Sequence, residues 1–319
     1  MRNKKIRNFI LADILLLLIL FLASSTDILI KEKEVEVHKI AVVVDVPVKG
    51  QVDNFRSGTM KASLKYHTDT NFINLSSWND LADKQAVLLK ELDNGCKGVI
   101  LHCEEKPVVQ AILEVIPADI PVLLYNEEEE DPCVKGSLGS DFAEECRLLT
   151  EVICLDENRA KGVVLVEPVP CTERVRNLHD QLQYELEADG TLVRRLEVDS
   201  NAKVQTLVRS VSSLLGGIFV SGDVSVLQML GEGNTNPAQD ISVYGVGFHA
   251  DIRSLIEDGA ITGTVVHRAY EAGYFSVEQM VAILNGENLT DENTTVESVL
   301  LTQENMYSSE VESIVFPYT

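Results

Sequence analysis

Residues 259–280 read GAITGTVVHRAYEAGYFSVEQM, and they contain the fold's repeating unit. β-Branched residues crowd the first part, at Ile261, Thr262, Thr264, Val265 and Val266. Such side chains are stiff at χ1 and pack well on a pleated surface, so the run predicts a buried strand. Beyond His267 and Arg268 the pattern turns helical within a few residues. Two basic side chains, one of them titratable near neutral pH, thus stand where strand hands over to helix. What they do there depends on the rest of the chain.

Working outward, the same unit recurs. IAVVVDV (40–46) is a continuous β-branched run, as in a strand covered on both faces. Pro47 and Gly50 break it, after which Val52, Phe55, Thr59/Met60 and Leu64 recur at helical spacing. Further strands are expected at FINL, GVILHC (98–103), IPVLLYN (120–126), GVVLVEP (162–168), TLVRRLEV, GGIFVSGD (216–223), ISVYGVGF (241–248) and VESVLLT (296–302). Helices are expected between them, including one through Leu207, Val211 and Leu214. EEEEDPCVKG reads as a loop, and Asp141 with Glu144 resembles a capping box. About ten β–α alternations without hairpin signals predict parallel sheets with helices on both faces. In such folds ligands gather at the carboxyl ends of the strands. No glycine-rich phosphate loop and no nucleophile elbow follows any of these strands, which argues against nucleotide binding and serine hydrolysis.

The 319-residue chain is 45% apolar, enough for one large core or two smaller ones. Its start is cationic, and Phe9–Ala23 is apolar apart from Asp13. That run of about 15 residues is short of the ~20 that span a bilayer, so it reads as a secretory signal with Ala23-Ser24-Ser25 at the cleavage site. An uncleaved anchor reaching Ile28–Ile30 is the competing reading, and residues 1–37 are assigned to signal or anchor plus linker. Either way the rest is expected outside the cytoplasm. Net charge is −23, and removal of residues 1–26 takes away four basic residues and one acid, leaving about −26. That acidity excludes nucleic acid and anionic lipid as partners. Six cysteines show no metal-ligand spacing, so no metal or cofactor is expected, and their pairing stays open. The acidic run 127–131 lacks the spacing of a calcium loop and reads as solvated.

The order of IPVLLYN, GSLGSDFAEECRLLTEVI, GGIFVSGD, VYGVGF, GAITGTVVHRAYEAGYFSVEQMVAILNGE and LLTQENM resembles the type 1 periplasmic sugar-binding proteins. These are the solute receptors of ABC importers, related to the ligand domains of the lactose-repressor family. The resemblance covers about residues 38–306. It implies two α/β, Rossmann-like lobes with parallel sheets, joined by three crossings that act as a hinge. One lobe would take residues 38–140 with 268–290, the other 141–267 with 291–319. No DNA-binding segment precedes the domain, so a repressor is excluded.

The resemblance also implies site residues. His267 takes the place of a strand-end polar residue, usually glutamine, that reaches the ligand. Gln51, Asp53 and Phe55 stand where the first strand's polar and aromatic contacts fall, although Phe55 also shares core spacing with Val52. Asn126-Glu127 replaces a usual Asp-Arg pair, which puts an ordinary pentose or hexose in doubt. The family arginine falls on Arg174 or Arg176, Gly222-Asp223 replaces Asn-Asp, and His249 replaces an aspartate. The implied function is binding of a small polar, sugar-like molecule by Asn126, Arg176, His249 and His267 over an aromatic such as Phe55. The receptor would be a monomer that delivers the ligand to an ABC permease. A membrane-tethered sensor presenting its bound state to a histidine kinase or chemoreceptor is the alternative. No nucleophile or metal arrangement supports an enzyme.

Overall fold

The structure, a computed structural model, describes residues 2–25, 37–46, 52–103, 105–126, 129–199, 217–234, 241–287, 293–309 and 311. The expected helix through 207–214, Gln51 and Glu127 lie outside these residues. The chain forms two compact units, Met1–Val37 and His38–Thr319. The first is helix α1 (Arg2–Ser25), whose side chains from Phe9 to Phe21 are exposed. Among the described residues no helix is long and apolar enough to cross a membrane.

The second unit holds two sheets. The first contains β1 (Lys39–Asp45), β2 (Asp69–Asn74), β3 (Gly98–Cys103), β4 (Val122–Tyr125), β5 (Val134–Ser140) and β11 (Asn293–Val296), in the order β11-β5-β4-β3-β1-β2. The second contains β6 (Val163–Val169), β7 (Val193–Asp199), β8 (Ile218–Ser221), β9 (Ser242–Val246), β10 (Gly263–His267) and β12 (Ser298–Thr302), in the order β12-β10-β9-β8-β6-β7. The two orders are equivalent, with the strand order reversing beside β1 and beside β6. All pairs are parallel except β12 on β10.

The continuous apolar strands follow from burial on both faces. Along β1, Ala41 and Val43 enter one apolar cluster, with Leu88 of α3 (Leu81–Asp93) and Ile112 of α4 (Lys106–Leu113). Ile40, Val42 and Val44 enter the opposite one, with Phe55 of α2 (Asp53–Tyr66) and Met280 of α9 (Ala269–Leu284). The second sheet repeats the arrangement. α5 (Phe142–Leu155) and α6 (Glu173–Ala188) cover one face, and α7 (Val224–Gly233) and α8 (Ala250–Glu257) the other.

The chain passes between the two lobes three times, from β5 into α5, from β10 into α9, and from β11 into β12. Several expectations need correction. Residues 134–136, the end of the stretch taken for loop, begin β5 (Val134–Ser140), which the glycine- and serine-rich VKGSLGS disguises. The strand expected at 296–302 is β12 from Ser298 onward, while its first residue, Val296, ends β11 in the other sheet. Residues 293–296 therefore pair with the first lobe, within a segment expected in the second. Of the capping box, Asp141 Oδ1 does accept from the Ala143 and Glu144 amides, while the Glu144 carboxylate is taken by Arg147.

Candidate functional site

The carboxyl ends of both sheets face one another, and each lobe brings a different chemistry there. The first lobe brings an aromatic wall. His102, next to last in β3, and Tyr125, last in β4, pack edge-on with ring centroids 4.4 Å apart. Phe55 lies behind both, at 5.2 Å from His102 and 4.9 Å from Tyr125. Burial holds the His102 imidazole down at about 3, with Arg174 and His267 adding to the effect from the second lobe. Burial likewise pushes the Tyr125 phenol up to about 12. Both side chains are therefore neutral over the ordinary pH range. Among the described residues, His102 Nδ1 is buried without a hydrogen-bond partner.

The second lobe brings charge. Arg174, in the first turn of α6, donates from Nη2 to Glu145 Oε1 at 2.5 Å and to Ser140 Oγ at 2.9 Å. Glu145 sits in the first turn of α5 with a side chain only 1% exposed, against 28% for Arg174. His267, last in β10, places Nε2 at 3.6 Å from the same carboxylate oxygen and Nδ1 at 3.1 Å from Ser298 Oγ. Burial lowers the His267 pKa; Glu145 opposes the shift and Arg174 reinforces it.

Asn126 completes the arrangement from the first lobe. It adopts φ 61°, a left-handed conformation that asparagine tolerates better than most residues. Its Oδ1 accepts from the Ser140 amide at 3.0 Å. One polar chain, Asn126–Ser140–Arg174–Glu145–His267–Ser298, therefore touches all three crossings. It also answers what the strand-end histidine does: His267 joins this chain. Arg268 belongs to the crossings too, pairing with Glu271 at 3.0 Å and with Glu297 at 3.2 Å.

The remaining expected residues are placed less centrally. Phe55 is fully buried and belongs to the core behind the aromatic wall. Asp53 is exposed in the first turn of α2. Of the two arginines, Arg174 points inward, while Arg176 is exposed and bonds the Cys171 carbonyl at 3.4 Å. The Gly222 amide donates to His179 Nε2 at 3.1 Å, and His179 Nδ1 lies 3.1 Å from Glu167. Asp223 caps α7 by accepting from the Val226 amide. His249 is buried at the start of α8, with Nε2 unpartnered among the described residues. The six cysteines are free thiols.

Sequence reasoning missed Glu145, His102, Tyr125 and Ser140. His102 and Tyr125 obey the strand-end rule and were findable by it. Glu145 was not, because it sits among the apolar positions of α5 beside Cys146 and Leu149 and reads as ordinary helix. Among the described residues no group of histidine, cysteine and carboxylate side chains is arranged to hold a metal.

The family described as "Periplasmic binding protein domain" matches residues 40–288. No curated protein matches the chain in sequence. Solved structures do match in fold. An ABC transporter solute-binding protein from Agrobacterium vitis, bound to α-D-tagatopyranose, superposes with a TM-score of 0.74 at 14% identity, covering 87% of this chain and 99% of its own. A solute-binding protein from Burkholderia graminis in complex with D-arabinose gives 0.73 at 15% identity, covering 86% and 99%. A putative LacI transcriptional regulator from Bacteroides fragilis gives 0.72 at 11% identity, covering 85% and 99%.

Proposed function

Because the chain belongs to the periplasmic binding protein domain family, we propose that it is an extracytoplasmic solute receptor that captures a small polar, sugar-like molecule between its lobes for an ABC importer. The observation that carries this reading is the convergence of an aromatic wall from the first lobe with a polar chain that is centred on Arg174 of the second lobe and joins both. Sugars present apolar ring faces and hydroxyl edges, and this pairing of surfaces suits both. The relatives that bind arabinose and tagatose are consistent with it.

The polar chain touches every crossing, so a ligand that engages Arg174 or His267 acts at the hinge itself. Closure then excludes water and strengthens each hydrogen bond. Residues 38–140, 268–290 and β11 would move as one lobe, and residues 141–267 with β12 as the other.

The test is a thermal-shift screen of the full chain, in mild detergent, against sugars, polyols, nucleosides and amino acids. A ligand that binds only the native state must raise the melting point. Selective stabilisation by one polyhydroxylated class supports the reading, and silence across the panel contradicts it. In a second arrangement the segment is retained and the protein signals from the membrane surface. Sequencing the mature N-terminus separates the two: a start near Ser25 means a released carrier, and an intact leader means a tether.

A further inference from the structure

Resting on that solute-binding reading, we infer that Glu145 is a built-in counter-ion for Arg174, so that the cleft accepts uncharged solutes and rejects ligands bearing a carboxylate or phosphate. A guanidinium at a binding site ordinarily invites an anion, since its planar fork matches carboxylate and phosphate geometry. Here a carboxylate already sits on one nitrogen of that fork. The Glu145 oxygen is 2.5 Å from Arg174 Nη2, and the carboxylate that carries it is buried. Among the described residues its other titratable neighbours are His267 at 3.6 Å and, through space, the Tyr125 phenol and the Cys146 thiol, both pushed up to about 12 chiefly by burial and so uncharged.

Neither histidine at the site adds a compensating positive charge. Burial disfavours the charged form of both His102 and His267 and sets the direction for both; the guanidinium reinforces it, while Glu145 opposes it at His267 without reversing it. One cation and one anion remain, in contact, and the centre is balanced. An incoming anion must either share a guanidinium that the Glu145 carboxylate already neutralises, with that carboxylate close by, or displace it from Arg174. The first puts like charges together, and the second leaves a buried carboxylate with no cation. An uncharged hydroxyl imposes neither cost. Among the described residues the hydrogen bonds of Arg174 run through Nη2 alone, which leaves the donors on Nε and Nη1 for such a hydroxyl.

The test compares the full-length wild-type protein, Glu145→Gln and the double variant Glu145→Gln/Arg174→Gln, following melting temperature against inorganic phosphate and D-galacturonate. Wild type should show no rise with either anion. Glu145→Gln keeps the side-chain volume, and should gain a rise of about 3 °C at saturating phosphate. The double variant should lose that rise. Should Glu145→Gln fold poorly, Glu145→Ala with acetate tests the same point, since acetate can then occupy the vacated carboxylate position. A rise with phosphate or galacturonate in wild type overturns the inference, as does a Glu145 variant that gains no anion response. If no neutral sugar stabilises wild type while Glu145→Gln still gains its phosphate response, the counter-ion assignment stands and the solute-binding reading falls.

Discussion

Phe55 is 0% exposed and packs behind His102 and Tyr125, so it supports the wall that a ligand would meet without being its surface. Phe55→Ala should cost about 3–5 kcal/mol of stability, the usual range for a large aromatic deleted from a core, measured by urea unfolding. A second residue-scale consequence concerns acid. His102, His179, His249 and His267 all have pKa values lowered chiefly by burial. Each is neutral when folded and takes up a proton more readily when unfolded. The unfolded state therefore binds more protons below the unperturbed value of about 6.5, and stability must fall as pH drops. The full contribution is present above pH 6.5 and is lost progressively below it, the His102 loss continuing down to its folded value of about 3. Urea unfolding at pH 7.5, 6.5, 5.5 and 4.5 should show a monotonic decline, and His267→Gln should make it shallower. A flat profile would mean that these imidazoles are not held neutral. At this scale the sequence was partly legible. His267 announced itself by position, because a polar, titratable residue at the end of a buried strand is conspicuous. Glu145 did not, because its partner Arg174 lies 29 positions away and only the packing of α5 against α6 brings them together.

The helices α2 and α9 show what an element-level reading catches and misses. Both were expected from their apolar spacing, yet their mutual approach was not. A Cβ at Gly58 would lie 1.9 Å from the Tyr270 carbonyl oxygen, and one at Gly273 would lie 2.0 Å from that of Phe55. These obstacles are backbone, so they cannot swing aside. Gly58→Ala and Gly273→Ala should each cost at least about 1–3 kcal/mol, the overpacking range, even though alanine is the better helix former. Calorimetric melting of either variant checks this, and an unchanged or raised melting point would contradict the packing. The glycines are visible in the sequence, but a glycine within a helix signals close approach without naming its partner. The strands divide in the same way. β1, β3 and β4 were plain because burial on both faces demands unbroken apolar runs. β5 was hidden: its burial is partial along most of its length, so its sequence carries no such run.

At the scale of the whole molecule, the repeated β–α unit was enough to expect two parallel-stranded lobes, because few other arrangements bury so many two-sided strands. The exchange of β11 and β12 between sheets was beyond it, since the polar NTT of 293–295 does not announce a strand and the apolar run at 296–302 does not reveal that the chain changes lobes at its start. The site shows the same limit. Strand ends told where to look, but not which polar groups would already be satisfied by one another. On the proposed function, the facing strand ends form a binding cleft with Arg174 at its centre. A thermal-shift titration of the full chain and its Arg174→Ala variant with neutral sugars tests this. Wild type should show a selective, saturable rise in melting temperature that Arg174→Ala abolishes. A wild-type protein silent to every sugar, or a rise that survives the loss of Arg174, would contradict it.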